Sequence, residues 1–282
     1  MTLTDLLLQG VARLRTGPHP ERARADAELL LQQVTRRGRA SLIAHANEGL
    51  DAEAAARYSA LVERRHTGEP MQYISGTTEF YGLLFRVTPD VLIPRPETEH
   101  LVEKALEVAA WFDAPRIVDV GTGSGAIAIA LAHRLPQANI TATDISGAAL
   151  AIARENAEFN EVGQRIRFVE GDLLGAVAGE EFEIVVSNPP YVLTGESASL
   201  PMEVREFEPG LALFAGEDGL DVFRRLIPEA HAALVPGGVI AVELGYGQVA
   251  GVSKLLANGG FLRIELIMDL QSVPRVAYAL RP

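Results

Sequence analysis

From about residue 115 to the end of the chain, strand-forming segments alternate with segments of helical periodicity. This alternation constrains the fold more than any other feature. It predicts strands over Arg116–Val120, Asn139–Thr143, Ile166–Glu170, Phe182–Ser187, Val239–Leu244, Phe261–Met268 and Arg275–Leu280. Helices are expected over Ser124–Arg134, Gly147–Asn160, Leu220–Leu234 and Gln248–Asn258. A chain of this kind packs as right-handed βαβ units around a mostly parallel sheet. Continuous apolar runs such as Ile117-Val118 and Ile184-Val185-Val186 fit strands buried on both faces. The expectation is an α/β fold with a mostly parallel, seven-stranded sheet.

The chain before this region reads differently. Thr4 is a candidate cap for a helix carrying Leu7, Leu8, Val11 and Leu14, which Gly17-Pro18-His19-Pro20 breaks. A second helix is expected over Glu21–Arg37. A third, over Ala52–Thr67, stops at Gly68-Glu69-Pro70. Residues 1–72 are thus expected to form a small all-helical domain. Thr77–Val87 is rich in strand formers around Gly82, so 73–93 reads as a β-hairpin linker. Residues 94–282 form the larger domain. It opens on Ile93-Pro94-Arg95-Pro96-Glu97-Thr98-Glu99, where two prolines fix an extended lead-in to a helix running to about Ala110. Two domains suit the length of 282 residues.

Composition removes several classes of function. With no cysteine there is no disulfide framework, thiolate metal site or thiol nucleophile. The six histidines show no ligand spacing, so no metal is expected. A net charge of −12 opposes sequence-independent binding to nucleic acid. That charge is uneven: residues 1–75 hold ten arginines against nine acids, and the remainder carries the excess of acid. No signal segment or membrane-length apolar run is visible, so a cytoplasmic protein is expected.

Two motifs carry chemistry. Asp119-Val120-Gly121-Thr122-Gly123-Ser124-Gly125 closes the first strand of the alternating region and opens a helix. Glycines there allow a tight turn and close approach of backbone N–H groups to a ligand. Asp144, 23 residues after Gly121, ends the next strand, where an acid can accept hydrogen bonds from both ribose hydroxyls of a nucleotide-like cofactor. The turn suits either NAD or S-adenosylmethionine. Asp119 can bond the loop or lie near a methionine ammonium.

The second motif, Ser187-Asn188-Pro189-Pro190-Tyr191, follows the apolar strand Phe182–Val186. Two prolines stiffen the loop and remove two donors, which frees its carbonyls. Asn188 adds an acceptor and Tyr191 an aromatic face. Together they suit a planar –NH2 group.

Asn188-Pro189-Pro190-Tyr191 after the fourth strand resembles the amino-methyltransferase signature of class I S-adenosylmethionine-dependent enzymes, whose fold is Rossmann-like. The Ile93–Glu99 motif, Phe207-Glu208-Pro209, Ala212-Leu213 and Gly216-x-Asp218-Gly219-Leu220 are similar to those of the peptide chain release factor N5-glutamine methyltransferases, the PrmC/HemK family. The likeness extends over essentially the whole chain.

The resemblance implies methyl transfer from S-adenosylmethionine, leaving S-adenosylhomocysteine, to the glutamine amide of the Gly-Gly-Gln motif in release factors, in support of translation termination. It implies that Gly121, Thr122, Gly123, Ser124 and Gly125 wrap the cofactor's methionine part and that Asp144 holds the ribose. Asp172 would receive the adenine amino group. Leu173 stands where some members carry an aromatic residue and would pack on the adenine. Asn188, also beside the cofactor, and the Pro189 carbonyl would bind the substrate amide; Pro190 shapes the loop and Tyr191 packs near the transferring methyl. Arg95, Glu97 and Glu99 would shape the site. The helical domain would read the protein substrate in a monomeric enzyme with no stable nucleic-acid or membrane partner. Three alternatives stay open: a nucleic-acid adenine methyltransferase, an NAD-dependent oxidoreductase and a non-catalytic translation-factor-binding module.

Overall fold

A computed structural model describes residues 1–282. The backbone divides by contact into two units, Met1–Gly76 with Leu200–Phe207, and Thr77–Ser199 with Glu208–Pro282.

The smaller unit is helical: α1 (Leu3–Leu14), α2 (Ala23–Thr35), α3 (Arg39–Ala44), α4 (Ala52–His66) and α5 (Met71–Ser75). Its core is made by Leu3, Leu6, Val11, Leu14, Leu30, Leu31, Tyr58 and Val62. The first cap is Thr2 rather than the expected Thr4. The Thr2 hydroxyl accepts from Asp5 N at 3.1 Å, and the Asp5 carboxylate accepts from Thr2 N at 3.0 Å. This reciprocal pair satisfies two helix-end donors at once, which a lone Thr4 cannot do. The Thr4 hydroxyl instead donates to Ala46 O.

In the larger unit a hairpin of β1 (Thr77–Phe80) and β2 (Leu83–Arg86) precedes α6 (Glu99–Ala109). The hairpin is part of the packed body, because Phe80 and Phe85 are buried in the same core as the sheet and its helices, and the Arg86 backbone exchanges hydrogen bonds with the Asn156 side chain. Next come β3 (Arg116–Val120), α7 (Ala126–Arg134), β4 (Asn139–Asp144), α8 (Gly147–Phe159), β5 (Ile166–Glu170) and β6 (Phe182–Ser187). After α9 (Met202–Phe207), which packs with the smaller unit, the chain forms α10 (Asp221–Ala233), β7 (Leu234–Glu243), α11 (Val249–Asn258), β8 (Leu262–Met268) and β9 (Pro274–Leu280).

The sheet order is β5-β4-β3-β6-β7-β9-β8. All neighbours from β5 to β7 are parallel, and β9 runs antiparallel between β7 and β8. Each buried strand divides its residues between two layers. Ile117, Ile184, Val186 and Ala241 pack with α6 and α7; Val118, Val120, Val185, Ile240 and Val242 pack with α10 and α11. β7 begins five residues earlier than the sequence predicts, with its pairing to β6 shifted around Pro236-Gly237-Gly238. No helix is long and apolar enough to cross a membrane.

The strand order reverses at β3, whose neighbours are β4 on one side and β6 on the other. Loops leaving the carboxyl ends of β3 and β6 therefore diverge, and a crevice opens there.

Candidate active site

Each sequence motif leaves the carboxyl end of one of these adjacent strands. Across the sheet the order is Asp172 after β5, Asp144 at the end of β4, Gly121–Gly125 after β3, Asn188–Tyr191 after β6 and Glu243 at the end of β7. Val120 pairs with Ser187, and the Ser187 hydroxyl donates to Val120 O at 2.7 Å, so the two motif loops start side by side.

The glycine turn is held from below. Gly121 N and Thr122 N both donate to Thr143 O at 2.9 Å. Gly121 and Gly123 adopt φ of +73° and +55°, and a methyl at either position would meet nothing within 4 Å. The backbone there faces open space, as a cradle for a ligand requires. Asp144 braces the turn: one oxygen accepts from Gly123 N at 2.8 Å and the other from Ser146 N at 2.9 Å. Each oxygen keeps a lone pair for a further donor. Burial is the main influence on Asp144 and raises its pKa.

Asp119 lies wholly buried beneath the turn. One oxygen accepts from the Thr122 hydroxyl at 2.6 Å and from Ala128 N at 3.2 Å; the other, Oδ1, has no partner. Burial pushes this carboxyl up to about 7. The side chain thus bonds the loop, one of the two roles open to it from sequence.

Asp172 is half exposed and forms an ion pair with Arg225 of α10. Leu173, at φ +49°, is partly buried against the layer containing Val177 and Phe223. Positive φ is unfavourable for a leucine and is kept only where surrounding packing imposes it.

In the second motif, Pro189 is buried and Asn188, Pro190 and Tyr191 are partly so. Both proline peptide bonds are trans. Asn188 Nδ2 donates to the Thr98 hydroxyl oxygen at 3.0 Å. With its nitrogen engaged there, the amide has Oδ1 free to accept. Burial, with the nearby Glu243, pushes the Tyr191 phenol up to about 12, so it is neutral at physiological pH.

The proline-framed motif before α6 serves this loop. Thr98 provides the Asn188 contact; Arg95 donates to the buried Glu208 at 2.6 Å; Glu99 accepts from Tyr81 N at 2.8 Å. Residues 191–194 are further held by Val192 and Thr194 N–H groups donating to Leu213 and Gly216 carbonyls, both at 2.8 Å. A cavity of about 530 Å³ lies at the opposite, amino ends of the strands. Its arginines Arg116 and Arg167 pair with Glu183 and Glu180 and stand apart from the crevice.

Residues 5–76 match the PrmC N-terminal domain, and residues 98–203 match the methyltransferase small domain. The release factor glutamine methyltransferase of Deinococcus radiodurans is 44% identical over 283 residues, covering 100% of this chain and 99% of that protein. The protein of the same name from Moorella thermoacetica is 44% identical over 268 residues, 95% of this chain and 94% of its own. The chain belongs to the release factor glutamine methyltransferase family. It shares its fold with a methyltransferase from Pyrococcus furiosus at a TM-score of 0.52 and 20% identity, over 72% of this chain and 90% of that one. It also shares it with the T. thermophilus 16S rRNA N2 G1207 methyltransferase, solved with AdoMet and guanosine, at a TM-score of 0.56 and 20% identity, over 73% and 50% of the two chains.

In this family member, two site residues escaped the sequence reading. Gln248, 7% exposed, donates from Nε2 to Tyr191 O at 2.9 Å and to Gly219 O at 3.1 Å, and accepts from Gly245 N at 3.0 Å. It ties three loops together, and nothing in its local sequence announces that. Glu243 did carry a signal: it is an acid at the carboxyl end of the apolar run Val239–Val242, the same pattern that singled out Asp119.

Proposed function

We propose that the chain transfers a methyl group from S-adenosylmethionine to the side-chain amide nitrogen of the glutamine in the Gly-Gly-Gln motif of release factors. The observation that carries this reading is the meeting, at the reversal of strand order, of an open glycine turn with an Asn188 amide held by its nitrogen. S-adenosylmethionine, when bound, supplies an already activated sulfonium methyl. The residues fit it. Gly121 and Gly123 would take the methionine part on the open side of the turn, while the buried Thr122 and Ser124 and the closely packed Gly125 would hold its shape. Asp144 has acceptor capacity for ribose hydroxyls, and Asp119 has a buried oxygen without a partner. Asp172 and Leu173, beyond Asp144, are assigned to the adenine.

An amide nitrogen is a poor nucleophile because its lone pair is delocalised into the carbonyl. This chain's contribution is alignment and electrostatic match. Asn188 Oδ1 and the Pro189 carbonyl accept the two amide hydrogens and fix the plane of the group. Both acceptors bind more strongly as positive charge grows on the nitrogen. The neutral Tyr191 ring covers the site, and the departing proton leaves to water. The helical unit would supply contacts distant from the reaction that select the protein substrate. The reading places a monomeric enzyme in the cytoplasm, with no metal and no stable nucleic-acid or membrane partner.

The test is transfer of labelled methyl from S-adenosylmethionine to a purified release factor, beside its Gly-Gly-Gln→Gly-Gly-Ala variant and duplex DNA. Label is expected in the wild-type factor alone; label in DNA alone would overturn the reading. Asn188→Ala is expected to lower kcat by about 10²-fold or more while cofactor affinity stays nearly intact. Equal loss of cofactor binding would remove Asn188 from the substrate side.

A further inference from the structure

We propose that Glu243 is a positioning residue: with Thr98 it holds the Asn188 amide by its nitrogen and so turns Oδ1 toward the substrate. The inference rests on the role given to Asn188 above.

The geometry comes from the sheet. Ser187 of β6 pairs with Val242 of β7, so the next residues, Asn188 and Glu243, leave neighbouring strands at the same level. Glu243 is 2% exposed and Thr98 is 4% exposed. The Thr98 hydroxyl oxygen accepts from Asn188 Nδ2, which leaves its own hydrogen to donate. The Glu243 carboxylate faces both the Thr98 hydroxyl and the Asn188 amide, and both favour its charged form. Its Oε2 has no hydrogen-bond partner within the chain.

An ionised carboxylate only accepts. It draws the Thr98 hydrogen, leaves the Thr98 lone pairs for Asn188, and so selects the amide orientation with nitrogen inward. The reversed amide would set Oδ1 among the oxygens of Thr98 and Glu243, with too few hydrogens between them. A protonated Glu243 can donate, and the reversed amide is then tolerated. The orientation of Asn188 is therefore linked to the charge of Glu243.

The groups facing Glu243 are Glu97, which opposes its ionisation, and Arg275 of β9, which favours it; the Tyr191 phenol, itself facing Arg95, is neutral. Burial dominates and pushes Glu243 up to about 7. Since the charged form is the productive one, kcat should rise with pH through about 7.

The experiment measures kcat against pH from about 5.5 to 9, with full-length chain, saturating S-adenosylmethionine and saturating release factor. Calorimetry gives S-adenosylmethionine affinity at each end. Wild type is expected to show a rising limb near pH 7. Glu243→Gln should lose that limb and about 10²-fold in kcat, because its amide can donate to Asn188 Oδ1 and misplace the acceptor. Its cofactor affinity should stay within about twofold. Thr98→Val, which removes the intervening hydroxyl by another route, should likewise lower kcat and spare cofactor affinity. A Glu243→Gln enzyme that keeps both rate and limb overturns the proposal, as does parallel loss of cofactor binding in both variants. A wild-type chain that does not methylate the release factor instead overturns the functional reading, so the two failures are distinct.

Discussion

The most deeply buried carboxylates of the two units are held in opposite ways. In the helical unit, Asp26 and Arg65 are 1% and 3% exposed and meet at 2.6 Å. Arg65 also donates to Glu69 O at 2.9 Å and pairs with Glu203 of α9, so it meets three acceptors. In the sheet unit, Asp119 and Glu243 are as deeply buried, yet each leaves one carboxylate oxygen without a partner, and both are pushed up to about 7. A buried charge without partners is costly, and a fold optimised only for stability would replace it. The paired cluster is structural: it fastens the stretch after the Asn-Pro-Pro-Tyr loop to α2 and α4. The half-satisfied carboxylates lie beneath the glycine turn and beside Asn188, next to the two loops assigned to cofactor and substrate.

The largest loss of stability that can break this contrast comes from Arg65→Ala. Removing Arg65 leaves the buried Asp26 with only Arg22, a long 3.4 Å contact from an exposed side chain, which costs about 3 kcal/mol. The loss should appear in urea unfolding and, locally, in faster hydrogen exchange of the α2 and α4 amides. Replacing Asp26 and Arg65 together by Leu and Met should recover most of it, because then no charge is stranded. A loss below about 1 kcal/mol, as for an exposed pair, would show that the cluster is not structurally important.

Asp119→Asn tests the other side. Its folded pKa, about 7, lies above the ordinary carboxylate value of 3.8, so the folded state binds the proton more tightly. The stabilisation from that proton is complete below about pH 4 and disappears as pH rises through about 7. The Asn variant has no such loss. Its stability relative to wild type should improve between about pH 4 and pH 8, by up to about 4 kcal/mol at the upper end. A difference independent of pH would mean that Asp119 is ionised and satisfied.

Much of this arrangement was legible in the sequence, for physical reasons that also explain the rest. β3 and β6 fall on the expected bounds because a strand buried on both faces is a largely apolar run, ended by the glycine or proline that turns the chain; β5, a partly exposed edge strand, is legible instead from Ile166, Phe168 and Val169 and the stop at Gly171. The two chemical loops were legible because each carries its own punctuation. Partners distant in sequence were not: Asp172 with Arg225, Arg95 with Glu208 and Arg65 with Glu203 are brought together by packing alone. α9 was invisible as part of the helical unit, since six residues are too few for a periodic pattern and their attachment runs through Arg65 and His19, distant in sequence. The hairpin reads as a connector in sequence because Phe80 and Phe85 look like ordinary strand residues until the core closes around them and Asn156 of α8 and Asn160 just after it bond the backbone of β2.

The contrast extends from charge to space, with smaller effects. Gly10 of α1 faces Tyr58, and a methyl there would run into the phenol, whose hydroxyl is directed at Ala27 O. Gly10→Ala should cost about 1–3 kcal/mol in stability, reduced by the better helix propensity of alanine. Gly123 is the opposite case, since a methyl meets nothing within 4 Å. Gly123→Ala should lose only about 1 kcal/mol, from forcing a side chain to φ +55°. Its larger consequence lies in binding, because the methyl projects into the open side of the turn where the cofactor's backbone contacts would form. Thermal unfolding without ligand should therefore change little, while calorimetry should show S-adenosylmethionine affinity falling by clearly more than the stability does. Unchanged affinity would mean that the turn is open for reasons of folding alone, and Asp144 and Asp119 would have to hold the cofactor without it.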